Sequence, residues 1–237
     1  MTRNIAVFAG PSWQQGCRPT HPGLHWFPPA ATGDILRIVH GGFATICLID
    51  GYFDHRPSPW HKELLVAMAA GIRLIGASSM GALRAAELDM YGMEGVGAIY
   101  RAYRDGLLTG DDEVALIHGP ESMNWAAASV PLVEVRATLL KAVRLGLFDA
   151  GMARRLRAAA MDVHYVDRDW PLLKRLFEEE GLKAAIASQV TDLHVPLKQL
   201  DAELAVSAAL ADGHPPRRLH VPQTNFLRDL KTELSLD

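Results

Sequence analysis

Two adjacent serines, Ser78 and Ser79, stand where a short β-rich run meets a helical run in RLIGASSMGALR, residues 73–84. A strand that breaks directly into a helix through small residues lifts a serine hydroxyl onto the free amides of the helix start, as in a nucleophile elbow. Centred on Ser79, the small residues fall at Ala77 and Gly81. The amides of the first turn, near Met80, then offer a place for a developing oxyanion. A plainer reading has both serines capping the helix. A serine nucleophile also needs a base. His61 and Lys62 sit near the start of the preceding helix, so either could look toward the same sheet edge from a neighbouring βα unit. The lysine serves only if burial lowers its pKa from about 10.4 to roughly 7 or 8. Trp60, Leu64 and the pair Tyr52-Phe53 are the apolar groups available for that.

Other chemistries fail on spacing. GMEGVG at 92–97 has its glycines in the reverse of the dinucleotide order and follows a helix, and Gly76-x4-Gly81 lacks the Lys-Ser/Thr of a phosphate loop. The ten histidines include His21-x3-His25 but no His-Glu-x-x-His helix, and Asp111-Asp112-Glu113 falls in a turn. No metal and no cofactor are expected.

The elements that must position the serines follow from the punctuation of the chain. NIAVFA at 4–9 reads as a strand stopped by Gly10-Pro11, and the Pro-rich stretch 14–31 as an ordered loop. A helix is expected from Thr32 or Asp34 to Gly41-Gly42, a strand over 43–49, and a helix from Ser58-Pro59 to Ala70. A strand over 73–76 then runs into a helix over 80–88. This β, α, β, α, β, α order with short connections predicts a parallel, doubly wound α/β core. Ligands in such sheets sit beyond the strands' carboxyl ends, here Gly10-Pro11-Ser12, Asp50-Gly51-Tyr52 and Ala77-Ser78-Ser79. After Gly119-Pro120 the pattern turns helical, over 133–145, 151–163, 170–179 and 197–210, with an extended tail from Asp212. The expected division is therefore an α/β core over 1–120 and a helical half over 121–237 packed on it. The basic run Arg154-Arg155-x-Arg157 is read as a solvated helix face or a docking surface.

Composition narrows the function. Twenty-four basic against 27 acidic residues leave a net charge of -3, with no positive excess for a nucleic acid. No charge-free stretch reaches about eighteen residues and the N-terminus lacks the apolar span of a signal peptide, so a cytoplasmic protein without a membrane partner is expected. Cys17 and Cys47 stand alone, which fits packing thiols in a reducing compartment.

Seven ordered blocks together resemble the TfuA family: VFAGPS (7–12), PPAATGDI (28–35), IDGYF (49–53), WHKEL (60–64), GASSMGALRAAE (76–87), GMEGVG (92–97) and DDEVALIHGP (111–120). Looser similarity continues at Val135-Arg136-Ala137-Thr138 and His164-Tyr165. The resemblance implies a protein that acts beside a YcaO enzyme in peptide backbone thioamidation. It would take sulfur from the C-terminal thiocarboxylate of a ThiS-like carrier by a Ser-Lys hydrolysis that falls on Ser79 and Lys62. Ser78, Met80, Ser12 and His61 are then oxyanion or supporting groups, and Asp34, Asp50, Tyr52, Arg84 and Glu87 order the site or grip the carrier tail. The precursor peptide is a further candidate partner. The competing readings are a non-catalytic adaptor that activates YcaO and presents its peptide, and a nucleotide-binding regulator.

Overall fold

In the computed structural model, which describes residues 4–53, 56–213 and 219–236, the run Ile5–Phe8 forms β1 and is buried throughout. Burial on both sides is what a central strand of a parallel sheet requires, and it explains the absence of polar alternation. β2 (Leu24–Phe27), β3 (Thr45–Leu48), β4 (Arg73–Ala77) and β5 (Glu94–Val96) complete an all-parallel sheet in the order β2-β1-β3-β4-β5. The register sets Ile5 opposite Thr45, and Leu48 opposite Gly76. The doubly wound α/β architecture read from the sequence is present.

Several elements were not legible as such. β2 lies inside the Pro-rich stretch expected to be loop, and the segment between β1 and β2 crosses over without an α-helix. Trp13 takes the place of a helix there: it is buried and meets Trp26 edge-on at 5.6 Å between ring centroids. β5 and α4 (Gly97–Arg104) arise from the glycine-rich block 92–97. The tail expected to be extended holds α10 (Asn225–Glu233), capped by the Thr224 hydroxyl at the Leu227 amide; its His214-Pro215-Pro216-Arg217-Arg218 segment lies outside the described residues.

Between the strands come α1 (Asp34–Ile38), α2 (His61–Ala69) and α3 (Met80–Leu88), followed by α5 (Leu132–Arg144), α6 (Ala150–Met161), α7 (Trp170–Glu179), α8 (Ala184–Asp192) and α9 (Leu197–Leu210). By internal contacts the chain divides into Met1–Thr109 with Gln199–Asp237, and Gly110–Lys198. The first unit thus takes back residues that the sequence assigned to the helical half. The reason is sheet coverage. Ile5, Val7, Ala9, Cys47, Ile49, Ile75 and Ala77 line one face, and Ala202, Ala205, Val206 and Ala209 of α9 cover it. On the opposite face α3 packs on β4, with Gly76 against Ala85. Cys47 is a packing thiol, its pKa pushed up to about 12 by burial against a small lowering by Arg73, whereas Cys17 is exposed.

Asp201 of α9 also closes the start of α4, accepting from the Ala98 and Ile99 amides at 2.8 and 2.7 Å, while Gly97, at φ 97°, makes room for its carboxylate. Arg73 clamps the other end of α9, donating to the Ala208 and Ala211 carbonyls and pairing with Glu94. The second unit is a helical bundle whose core includes Val135, Leu139, Leu156, Leu173, Phe177 and Val190. Among its buried polar groups Glu113 pairs with Arg136, and Glu134 with the Lys198 amide and His194. Among the described residues no helix is long and apolar enough to cross a membrane.

The tightest approach in the first unit is between α3 and β3. The Gly81 amide donates to the Ile49 carbonyl at 3.1 Å, and a Cβ at Gly81 would overlap the Leu48 carbonyl oxygen. Gly81→Ala should therefore cost about 3 kcal/mol or more, because the clash is with backbone and no side chain can yield. Gly16→Ala, where nothing lies within 4 Å of the added carbon, should stay within about 0.5 kcal/mol of the parent. Denaturant unfolding of the two variants checks the contrast.

Candidate functional site

β4 ends at Ala77 and α3 begins at Met80, so the turn between strand and helix consists of Ser78 and Ser79 alone. Gly76 and Gly81 permit this: a Cβ on Gly76 would overlap the Gly81 carbonyl oxygen. Ser78 takes the strain, at φ 68°, a left-handed conformation that costs a non-glycine residue about 1 kcal/mol or more. Its hydroxyl is fully buried and has no hydrogen-bond partner among the described residues. Ser79 is the N-cap residue of α3 and is 2% exposed, yet its hydroxyl makes no capping hydrogen bond. The capping explanation for the serines therefore fails at both positions. An unpaired buried hydroxyl costs about 1–3 kcal/mol, and strain of this kind concentrates at functional sites.

The amides at the break are unequally committed. Ser79 donates to the Ala77 carbonyl at 2.9 Å, Gly81 to Ile49, and Ala82 and Leu83 to the Ser79 carbonyl. The Met80 amide has no acceptor among these bonds. An elbow places its oxyanion donor on the residue after the nucleophile, which pairs Met80 with Ser79. The backbone strain, in contrast, falls on Ser78.

The neighbouring strand ends build the walls. Asp50, buried beyond β3, accepts from the Gly10 amide (2.7 Å), the Ser12 amide (3.0 Å) and the Ser12 hydroxyl (2.5 Å). Ser12 and Asp50 are thus joined to each other and fix the loop after β1. Gly51 packs against Met80, and the Ala30 amide donates to the Asp50 carbonyl while the Ala30 carbonyl accepts from the Tyr52 amide. Tyr52 carries the Arg56 guanidinium 5.0 Å from its ring centroid. Asp34 receives the Ala31 amide and pairs with Arg37, which makes it a brace of the 30–34 turn.

The start of α2 is set by a residue that sequence reasoning missed. Glu63 is fully buried and accepts from the Trp60 amide (2.9 Å) and the Gly33 amide (2.8 Å), joining α2 to the turn before α1. Helix α2 accordingly begins at His61 with Trp60 as its cap, later than the Ser58 start expected; Ser58 instead accepts from Arg84. The signal in the sequence was a glutamate three residues after the cap. Burial pushes the Glu63 pKa up to about 7, against the lowering effect of the Trp60 and Gly33 amides.

His61 hydrogen-bonds Glu87 at 2.7 Å, and Glu87 also accepts from Arg84, which reaches the Pro59 carbonyl and the Ser58 hydroxyl. Burial opposes the Glu87 charge, but His61 and Arg84 outweigh it and hold its pKa below the ordinary value. His61, Arg84 and Glu87 are therefore brought together as a tie between α2 and α3. Lys62 is turned elsewhere. Its amine donates to the Thr224 hydroxyl at 3.2 Å and the Pro222 carbonyl at 3.3 Å, and no hydrogen bond joins it to Ser78 or Ser79. The segment holding it packs through Leu227 and Leu230 on Leu36 and Val66.

Two consequences can be measured. Ser78→Gly should stabilise the protein by about 1 kcal/mol, since it removes the strain and the unpaired hydroxyl and loses only glycine's extra chain entropy. The thermal midpoint should rise by roughly 2–4 °C; a fall would show that Ser78 is neither strained nor unsatisfied. Glu63 binds its proton more tightly folded than unfolded, so its contribution to stability is complete below about pH 4.5 and is lost as pH rises through about 7. The loss amounts to about 3 kcal/mol. Urea unfolding between pH 5 and 8 should show this decline, and Glu63→Gln should flatten it.

No curated protein matches the chain. The family model described as TfuA-like protein matches residues 50–169, half of the chain, from Asp50 at the end of β3 through the serine turn to Asp169 at the start of α7. The chain belongs to the TfuA-like protein family.

Proposed function

We propose that this TfuA-like protein hydrolyses the C-terminal thiocarboxylate of a ThiS-like sulfur carrier and delivers the sulfide to a YcaO partner for peptide thioamidation. One observation supports the reading most: two adjacent buried serines at a strand-to-helix break, neither hydroxyl in a hydrogen bond among the described residues, beside a Met80 amide with no acceptor among them.

In the proposed reaction the Ser79 oxygen attacks the thiocarboxylate carbon and its proton passes to the neutral Lys62 amine. The Met80 amide holds the oxygen of the tetrahedral intermediate. The carbon–sulfur bond breaks, Lys62 returns the proton to the departing sulfur, and hydrosulfide leaves. Water then attacks the acyl-serine with Lys62 as base, releasing the carrier carboxylate and restoring Ser79. Ser12 and Asp50 keep the loop after β1 in place. His61, Arg84 and Glu87 lock α2 against α3, the two helices that carry the base and the nucleophile.

The mechanism requires two movements. Lys62 must leave Thr224 and Pro222, because an amine donating to two acceptors is held as a donor rather than a base. The serines must also open to the carrier tail, since both are buried. This engagement of Lys62 is also what favours the second reading, a non-catalytic adaptor that binds YcaO and presents the precursor peptide.

Sulfide release from a purified thiocarboxylated carrier, with YcaO left out, separates the two. The hydrolase reading predicts release by the parent protein, a drop of about 100-fold or more in Ser79→Ala, and a comparable drop in Lys62→Ala because the two act as a unit. Added sulfide should restore thioamidation in both variants. Absence of release by the parent, together with thioamidation that still depends on the protein when sulfide is supplied, would establish the adaptor reading.

A further inference from the structure

Helices α5 and α6 present matching faces to one another. Arg136, Leu139, Leu140 and Val143 on α5, and Ala150, Ala153, Arg154 and Arg157 on α6, each follow the i, i+3, i+4, i+7 spacing of one helical face. Between them runs an open groove of about 240 Å³. Its floor is apolar, from Leu139, Leu140, Val143, Ala150 and Ala153. Leu140 is 51% exposed, so its side chain is open to a partner along the groove. The alanines of α6 leave the backbone accessible to close packing.

The rims are cationic. Arg136 is committed, forked onto Glu113 at the end marked by Met161. Arg154 and Arg157 are exposed and make neither a hydrogen bond nor an ion pair among the described residues. Their neighbour Arg155, on another face, reaches the Glu180 carbonyl and lies 3.8 Å from its carboxylate. Two free guanidinium groups one turn apart beside an apolar floor are complementary to carboxylates flanking an apolar stripe. The lengths of α5 and α6, about 20 and 18 Å, accommodate three turns of a further helix.

We infer that the α5–α6 groove is a docking site for an acidic amphipathic helix of a protein partner. Its apolar stripe lies on Leu139, Leu140 and Val143, and its flanking carboxylates pair with Arg154 and Arg157. The mode is helix-in-groove recognition, in which apolar anchors supply affinity and the charged rim supplies orientation. This inference stands apart from the hydrolase reading, because it concerns residues that take no part in sulfide release.

The test uses the full chain and two synthetic helical peptides of about four turns, roughly 15 residues. One carries leucines at i, i+3, i+4 and i+7 flanked by glutamates; the other has lysines in place of the glutamates. The acidic peptide should bind, shift amide resonances of α5 and α6, and weaken with added salt. Arg154→Glu with Arg157→Glu, and separately Leu140→Asp, should each lower its affinity about tenfold or more, while far-ultraviolet dichroism stays that of the parent. Failure of the acidic peptide to bind, equal binding of the lysine peptide, or binding indifferent to these substitutions would overturn the proposal. So would a dimer of the free protein that Arg154→Glu and Arg157→Glu dissociate, since the groove would then be filled by a second copy of the chain.

Discussion

The close approach of Gly81 to the backbone of β3 is the constraint on which the site depends. With no side chain in the way, the first turn of α3 comes down onto the end of the sheet and bonds the Ile49 carbonyl. The chain then has only two residues in which to turn from β4 into α3, and both are serines. A larger residue at 81 would push the helix outward, lengthen the turn and let Ser78 relax toward an ordinary conformation. The unsatisfied hydroxyl and the positive φ at Ser78 are thus products of glycine packing elsewhere. The fold tolerates this local instability because the surrounding strand ends are tightly tied, above all by the three donors gathered on Asp50.

Sheet coverage ties distant parts of the sequence to that site. Parallel strands must be buried on both faces, and the first hundred residues supply no helix between β1 and β2. Helix α9 covers the exposed face instead, anchored by Arg73 at one end and by Asp201 near the other. The chain beyond α9 then returns through Thr224 and α10 to α1 and α2, where it meets Lys62. The C-terminal segment thus supplies the Pro222 and Thr224 acceptors of Lys62, the base of the proposed reaction.

Local signals were legible and remote ones were not. The α3 boundaries, 80–88, and the serine turn before it followed from small residues between an apolar run and a helical run. The short βα units were readable because Gly10-Pro11, Gly41-Gly42 and Gly71 mark their ends. β2 was hidden because its four residues sit among prolines at a sheet edge with little alternation, and β5 because a three-residue strand containing glycine carries no periodicity. Glu63 was not singled out, because its burial depends on an amide thirty residues away. The partner of Lys62 lies 162 residues along the chain, beyond the reach of any local pattern. The grouping of His61 with Arg84 and Glu87 was likewise a tertiary fact, although all three had been singled out one by one.

Covalent labelling tests for a nucleophile in the serine turn without a carrier or a partner. The folded protein would be treated with a serine-reactive fluorophosphonate, digested, and the peptide spanning β4 and α3 sequenced by mass spectrometry. A single adduct on Ser79, absent from Ser79→Ala and slowed in Lys62→Ala, is the predicted result. A folded protein that takes up no label at Ser78 or Ser79, or that is labelled equally after Ser79→Ala, would contradict it.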